Sequence, residues 1–579
     1  MNIYLDFRSQ IVKILEDLKY DGTLADDVSF SGIIVEPPRD RSNGELSTNA
    51  AMVVAKSSKQ NPFVIAECIS KVLTLNEKVS SIEVVKPGFL NFSLKPSVWL
   101  DILANAFEIG DKFGSSDLGQ GKKINIEYVS ANPTGPLHVG HTRGAVFGDS
   151  LGNLLEFTGF EVTREYYIND AGTQIDALSR SVYLRYLELH GREIEFGDNV
   201  YPGEYLIDVA KDLNVLVKDS LLNASEDKWM PKVRNFATES MLQLIQSDLE
   251  LLGVKMDNYY SEKHLYSSGK IEEAIGLLGS KGLIYEGTLP APKGKIIQDY
   301  EARNQLLFKS TLFGDDVDRP IKKSDGGWTY FAPDVAYHFD KIERGFDGLI
   351  DVFGADHSGY VKRMKAAVKA LSDGRVNLDI KLCQLVRLYK DGSPYKMSKR
   401  EGNFVTLSDM ISEVGKDVVR FLMLTRKNDA QLDFDFDKAL EQSKDNTVFY
   451  VQYAHARCSS IIKKSTEMGL DLPSLKLKDV DLSILTELSE NKLIAKISEW
   501  PRLIELSSAS HEPHRIVFYL YELAADMHSF QHEGKLNSSL RVLSDERNKM
   551  IARLILVTVV RNVIRTGLTI LGVSPLTKM

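Results

Sequence analysis

Lys123-Ile-Asn-Ile-Glu-Tyr-Val129, followed by Ser130-Ala-Asn-Pro-Thr-Gly-Pro-Leu-His-Val-Gly-His141, is the stretch whose reading decides the fold. Ile124, Ile126 and Tyr128 alternate with polar residues, which predicts a strand. A loop with two prolines and two glycines follows. Phe147, Leu151, Leu154 and Leu155 then recur at helical spacing, Thr158-Gly159 stops that helix, and Glu161 to Tyr167 resumes as a strand. Strand, loop, helix and strand make a βαβ unit, the start of a parallel sheet. Ligands bind at the carboxyl end of such strands, and the N–H groups of a helix start favour phosphate there. His138 and His141, three residues apart, can both face that phosphate, and Gly140 permits close backbone approach. The plainer alternatives are capping and packing. Zinc is a further one, although no cysteine or HExxH context accompanies the pair.

Working outward, Ile11, Ile14, Leu15 and Leu18 predict a helix, as do Val64, Ile65, Ile69 and Val72. Ile82 to Val85 and Phe89 to Leu94 read as strands joined by a Pro87-Gly88 turn. Asp111 to Gly121 reads as a linker. Beyond the βαβ unit, helical periods such as Met241, Leu242, Ile245 and Leu249 fill about 174–320, read as an insertion. Strand-like runs return at Trp328 to Phe331, Leu349 to Phe353 and Ile380 to Leu388. From about 440 the patterns are helical. Residues 535–579 carry eight Lys/Arg against Asp545 and Glu546.

The whole chain has 579 residues, 43% hydrophobic and 26% charged, with net charge −9. Those values fit a multidomain globular protein and exclude disorder and a wholly basic nucleic-acid coat. Cys68, Cys383 and Cys458 are dispersed, which argues against a disulfide scaffold or a thiolate zinc site. Met1 to Leu15 carries Asp6, Arg8 and Lys13, so no signal-peptide core is expected. The longest apolar run, Leu554 to Val560, is far short of the ~20 residues of a membrane span.

A second signal is Lys396-Met397-Ser398-Lys399-Arg400-Glu401-Gly402-Asn403. Two lysines around a serine, beside a glycine, suit a cationic loop that holds phosphate. A solvated basic loop is the plainer reading. HxGH after a first strand and KMSK some 255 residues later together resemble the two signatures of class I aminoacyl-tRNA synthetases. Within that class the text is similar to the arginyl-tRNA synthetase family. The matching strings are Val129 to Pro136, Phe353-Gly354-Ala355-Asp356-His357, Gly402 to Thr406 and Gln431-Leu432-Asp433-Phe434-Asp435. Ser47 to Met52 and Lys86 to Phe92 resemble that family's N-terminal tRNA-binding module. Ala332-Pro333 stands where many members have Thr-Arg, and both KMSK lysines are kept where many members lose them.

The resemblance implies a multidomain α/β protein. An N-terminal tRNA-binding module would span 1–112 and a Rossmann-type catalytic domain 113–385, with the insertion at about 174–320. The KMSK loop and connecting region would span 386–440 and an all-α anticodon-binding domain 441–579. It implies ATP-dependent activation of L-arginine and transfer from arginyl-adenylate to the terminal adenosine of tRNA(Arg). His138, His141, Lys396 and Lys399 would be catalytic. Pro133, Gly140, His357, Met397 and Ser398 would join them in binding ATP, with Mg²⁺ arriving on the nucleotide and no dedicated metal site. Glu127, Ser130, Asn132, Tyr330, Asp334 and Asp356 would bind arginine.

Chemistry supports that set, because a guanidinium is best bound by carboxylates in fork geometry. A site of this kind rejects an uncharged analogue such as citrulline by about 10⁴–10⁵. The 535–579 stretch would contact phosphates, while Phe449, Tyr450 and Tyr453 would stack on bases or form helix core. A cytoplasmic monomer is expected. A nucleotidylyltransferase, another class I specificity and a non-catalytic tRNA-binding paralogue are the competing readings.

Overall fold

Five parallel strands form the sheet that opens at Lys123. Their spatial order is Asn377–Cys383, Gly348–Gly354, Lys123–Glu127, Glu161–Ile168, Asn258–Ser261. In chain order this is fifth, fourth, first, second, third. The order therefore reverses between the first and fourth strands, and the crevice of a doubly wound sheet lies at their carboxyl ends, next to Glu127 and Gly354. The computed structural model describes all residues except 1, 39, 198–199, 290–303, 324, 396–404, 442, 444–445 and 471.

The helix Val139–Phe157 follows the first strand and buries Phe147, Leu151, Leu154 and Leu155, the residues whose spacing predicts it. Trp328 to Phe331 is not a strand. Trp328 makes only an isolated bridge with Lys322, and Phe331 begins the helix Phe331–Glu343. Pro333 and Asp334 in its first turn are helix-start residues, and they outweigh the β propensity of the aromatics before them. The run Ile380 to Leu388 is split. Its first part ends the main sheet, and Val386–Lys390 pairs with Ser393–Pro394 and Leu432–Asp435 in a separate small sheet.

The region 174–320 is not one excursion. Helices Thr173–Leu189, Tyr205–Val217 and Glu226–Leu252 leave the sheet, and Asn258–Ser261 returns to it in parallel with Glu165–Ile168. A three-stranded antiparallel sheet of Ile284–Gly287, Gln305–Phe308 and Arg319–Pro320 forms a second excursion.

Ahead of the parallel sheet, helices Ile3–Tyr20 and Pro62–Leu73 and the strands Val79–Val85 and Phe89–Leu94 appear where their periodicity places them, the strands within a four-stranded antiparallel sheet. The C-terminal region is a bundle of helices Thr447–Glu467, Leu488–Ser498, Trp500–Ser510, His514–Leu536 and Arg547–Ile570. The last is buried on nearly every side, as expected of a central helix. No described helix is long and apolar enough to cross a membrane.

The bundle is locked to the parallel-sheet domain at its far end. Arg420, fully buried, donates to the Leu571 carbonyl at 2.9 Å and the Leu252 carbonyl at 3.1 Å, and pairs with Asp149. Ser150 and Asn153, on the Val139–Phe157 helix, donate to the carbonyls of Leu571 and Ile570. Gly572 has φ +67° and lies so close that a Cβ would stand 2.1 Å from the Arg420 guanidinium, so no other residue fits there.

Candidate active site

Glu127 ends the first strand, and the chain then turns sharply. Val129 and Ser130 have φ of 69° and 38°, a left-handed conformation costing non-glycine residues about 1–3 kcal/mol each. The turn is held from two sides. The Ser130 hydroxyl donates to Glu127 Oε1 at 3.0 Å and accepts from the Tyr167 N–H at 3.1 Å. Asn132 is exposed and donates to Gln174 at 2.7 Å, while Pro133 is buried.

His138 is the N-cap of the next helix. Its Nδ1 accepts from the Gly140 N–H at 3.1 Å, and His141 Nδ1 accepts from the His138 N–H at 3.3 Å, a reciprocal capping box. The two rings stack with centroids 3.9 Å apart. Gly140 is required by this packing, since a Cβ there would lie 2.8 Å from the His138 ring. The capping alternative is thus realised in these residues.

The loop is also joined to the segment after the second signature. His138 and Thr406 form an antiparallel bridge, Val139 N–H donates to Val405 O at 3.4 Å, and Leu407 N–H to Leu137 O at 2.8 Å. Lys396, Met397, Ser398 and Lys399 lie outside the described residues, and Val405 and Thr406, further along the chain, lie against the histidine loop. Arg143, buried one turn along the helix, donates to the carbonyls of Gln384, Lys427 and Ala430 at 2.6–3.0 Å and so fixes the other approach to it.

Across the crevice the helix Phe331–Glu343 carries Asp334, Tyr337, His338 and Lys341 at i, i+3, i+4 and i+7, one face. Lys341 is 0% exposed. Its Nζ donates to Glu127 Oε2 at 2.6 Å and Asp351 Oδ1 at 3.1 Å, and sits 4.3 Å from the Tyr337 ring centre. His338 places Nδ1 2.8 Å from the Asp334 carbonyl and Nε2 2.8 Å from Asp351. Both nitrogens face oxygen acceptors, so the ring is an imidazolium. Burial pushes Asp351 up, yet the Lys341 and His338 charges hold it at about 2. Burial raises Glu127, against the pull of Lys341, and the nearby Asp351 charge adds to the rise. Glu165, buried one strand over, takes Arg344 in a fork at 2.6 and 2.8 Å and the Tyr337 hydroxyl at 2.7 Å. Those bonds hold it at about 2 despite burial.

Asp334 and Glu262 differ from these. Burial pushes Asp334 up to about 7; the His338 charge opposes that, and Glu127, Glu262 and Asp351 add to it. Burial and the Asp170 charge bring Glu262 to about 7. Neither carboxylate has an ion-pair partner among the described residues. Asp170 itself accepts from Ser261 Oγ and the Lys263 N–H, fixing the turn that carries Glu262. A cavity of about 590 Å³ opens beside it, lined by Ala171, Arg234, Lys263 and Tyr266 among others. A larger one, about 770 Å³, lies between the helix Pro96–Ile109 and the C-terminal bundle and touches none of these residues.

Tyr330, at the helix entrance, is 82% exposed. Asp356 and His357 stand exposed on the turn after the fourth strand, 3.7 Å apart. The sequence reading missed His338, Lys341, Asp351, Glu165, Arg344 and Glu262. Signals in the sequence pointed to three of them: His338 and Lys341 recur with Asp334 and Tyr337 at i, i+3, i+4 and i+7, and Asp351 is a lone acid within Leu349-Ile350-Asp351-Val352. Among the described residues no three His, Cys, Asp or Glu cluster as metal ligands.

On the bundle, Phe449, Tyr450 and Tyr453 are partly exposed and share a ring stack with His528 and Tyr521, with Arg457 over Tyr453 at 5.4 Å. The basic 535–579 stretch is partly consumed internally: Arg553 is buried on Glu490 at 2.6 Å, and Arg565 pairs with Asp111.

Three family models match the chain. They are the arginyl tRNA synthetase N terminal domain over residues 6–94, the class I (R) tRNA synthetase catalytic domain over 103–198, and the DALR anticodon binding domain over 451–579. The arginine–tRNA ligase of Ruegeria pomeroyi is 57% identical over the full length of both chains, and that of Roseobacter denitrificans 55%. The structure of Thermus thermophilus arginyl-tRNA synthetase superposes with a TM-score of 0.74 at 19% identity, covering 99% of this chain and all of that one.

Proposed function

The chain belongs to the arginyl-tRNA synthetase family and is an arginine–tRNA ligase, and from that premise we propose how its own residues divide the work. The enzyme joins arginine to ATP. The arginine carboxylate attacks the α-phosphorus, the bond to the β-phosphate breaks, and pyrophosphate leaves. A ribose hydroxyl of the terminal adenosine of tRNA(Arg) then attacks the adenylate carbonyl, and AMP leaves. Neither step needs a protein nucleophile, so positioning and charge carry the catalysis.

In this reading His138 and His141 hold the phosphates, with Pro133 and Gly140 shaping the loop and His357 at the nucleoside end. Lys396 and Lys399, flanking Met397 and Ser398, neutralise the leaving pyrophosphate, and Mg²⁺ accompanies the ATP. Ser130, Asn132 and Asp356 serve the polar end of arginine. Its guanidinium meets Asp334, with Tyr330 at the entrance, Glu262 opposite and the Glu127 carboxylate behind. Two carboxylates without an ion-pair partner among the described residues suit a substrate that brings a cation. The Phe449, Tyr450 and Tyr453 face stacks on anticodon bases. The enzyme acts as a cytoplasmic monomer.

The observation that supports the reading is the bridge of His138 to Thr406, which anchors the chain seven residues after Lys399 at the histidine loop. Arginine-dependent ATP–pyrophosphate exchange, with and without tRNA, tests it. Lys399→Ala lowers exchange by several orders of magnitude at an unchanged melting temperature; normal exchange in that variant would refute the role.

A further inference from the structure

Lys341 is a lysine without access to solvent, and its surroundings amount to an ammonium site. Two carboxylate oxygens lie at 2.6 and 3.1 Å and an aromatic face at 4.3 Å. That geometry satisfies a point cation rather than a planar fork. The carboxylates it occupies also matter to the crevice. Glu127 uses its second oxygen to hold Ser130, whose turn begins the histidine loop. Asp351 uses its second oxygen to hold His338, which in turn fixes the Asp334 carbonyl. One ammonium therefore anchors both walls.

We propose that Lys341 is a positioning and specificity-determining residue: its ammonium fills the Glu127–Asp351 pair from inside, fixing both walls and denying that pair to the ammonium of a substrate lysine. A tethered cation outcompetes a dissolved one because its effective concentration is far higher. With the pair filled, the carboxylates left to the substrate are Asp334 and Glu262, which have no ion-pair partner among the described residues. This rests on the arginine pocket described above.

The test is pyrophosphate exchange by full-length Lys341→Met with tRNA present, using L-arginine and L-lysine as substrates. Expected are an arginine KM raised about 30-fold or more, an ATP KM changed less than about threefold, and lysine-dependent exchange that narrows the arginine-to-lysine preference by about 100-fold. A folded variant that keeps its arginine KM and still rejects lysine overturns the proposal. So does an equal rise in both KM values without lysine activity, the signature of a purely structural role. Should Lys341→Met fail to fold, Lys341→Met with Asp351→Asn removes one charge of each sign and with it the acidic pair, so no lysine activity is expected; a selective rise in the arginine KM supports the positioning role, and an unchanged arginine KM or an equal rise in both KM values overturns it. Asp334→Asn separates the two levels. If it leaves the arginine KM intact, the pocket reading itself fails. If it raises that KM while the Lys341 variants do not, only this inference falls.

Discussion

On the side of the crevice assigned to arginine, Glu127, His338, Lys341 and Asp351 are buried and paired before any substrate arrives. On the side assigned to phosphate, His138 and His141 stand partly exposed at a helix start, and the lysines come from a separate stretch of chain. The ligands explain the difference. A guanidinium has one shape and one charge, so selectivity comes from fixed, desolvated acceptors. A triphosphate changes shape and charge during the reaction, and donors at a helix start can follow it without a buried network.

The contrast breaks most visibly on the phosphate side. His138→Asn keeps a good N-cap, so the melting temperature is expected to hold, while loss of the imidazole lowers exchange by about 10²–10³-fold. A variant that loses stability in step with rate would show that capping is the whole role. Next, Asp334→Asn should raise the arginine KM by about 10–100-fold and leave the ATP KM alone, since a hydrogen bond to a charged group contributes about 1.5–3 kcal/mol. Equal effects on both substrates would erase the division between the two sides.

The smallest effect is on pH dependence. Arginine binds the ionised forms of Asp334 and Glu262, both at about 7 in the empty pocket. Its KM should therefore rise as pH falls below 7, by up to about tenfold per unit for each proton taken up, and level off above. Stability without arginine runs the other way. A carboxyl raised in the folded state binds its proton more tightly than in the unfolded chain. Its stabilising contribution is complete below about 4 and is lost as pH rises to 7. Kinetics from pH 5.5 to 8.5 check the first, and melting curves with and without arginine the second. A flat KM profile would mean that neither carboxylate meets the guanidinium.

The phosphate side was the more legible in sequence. Its residues are contiguous: a strand, a Pro/Gly loop and a helix read directly from spacing, and His138 and His141 stand at the predicted junction. The other side is assembled from Glu127, Glu262, Asp334, Lys341 and Asp351, which no single window contains. Asp334 was reached only through a resemblance, and Lys341 reads as an ordinary helix lysine because local sequence does not reveal full burial. Trp328 to Phe331 misled for a related reason: four residues cannot distinguish a strand from the approach to a helix. Glu127 was likewise reached through the resemblance, and its partner Lys341, 214 residues away, was out of reach.

The Leu571 carbonyl, which Arg420 and Ser150 share, has a consequence for how the protein is made. Domains fold in order of emergence from the ribosome. Here the helix that begins with the two histidines cannot complete its packing until the last helix, some four hundred residues later, has been synthesised. A chain interrupted before that point leaves a buried arginine facing Asp149 without its carbonyl acceptor at the end of the final helix.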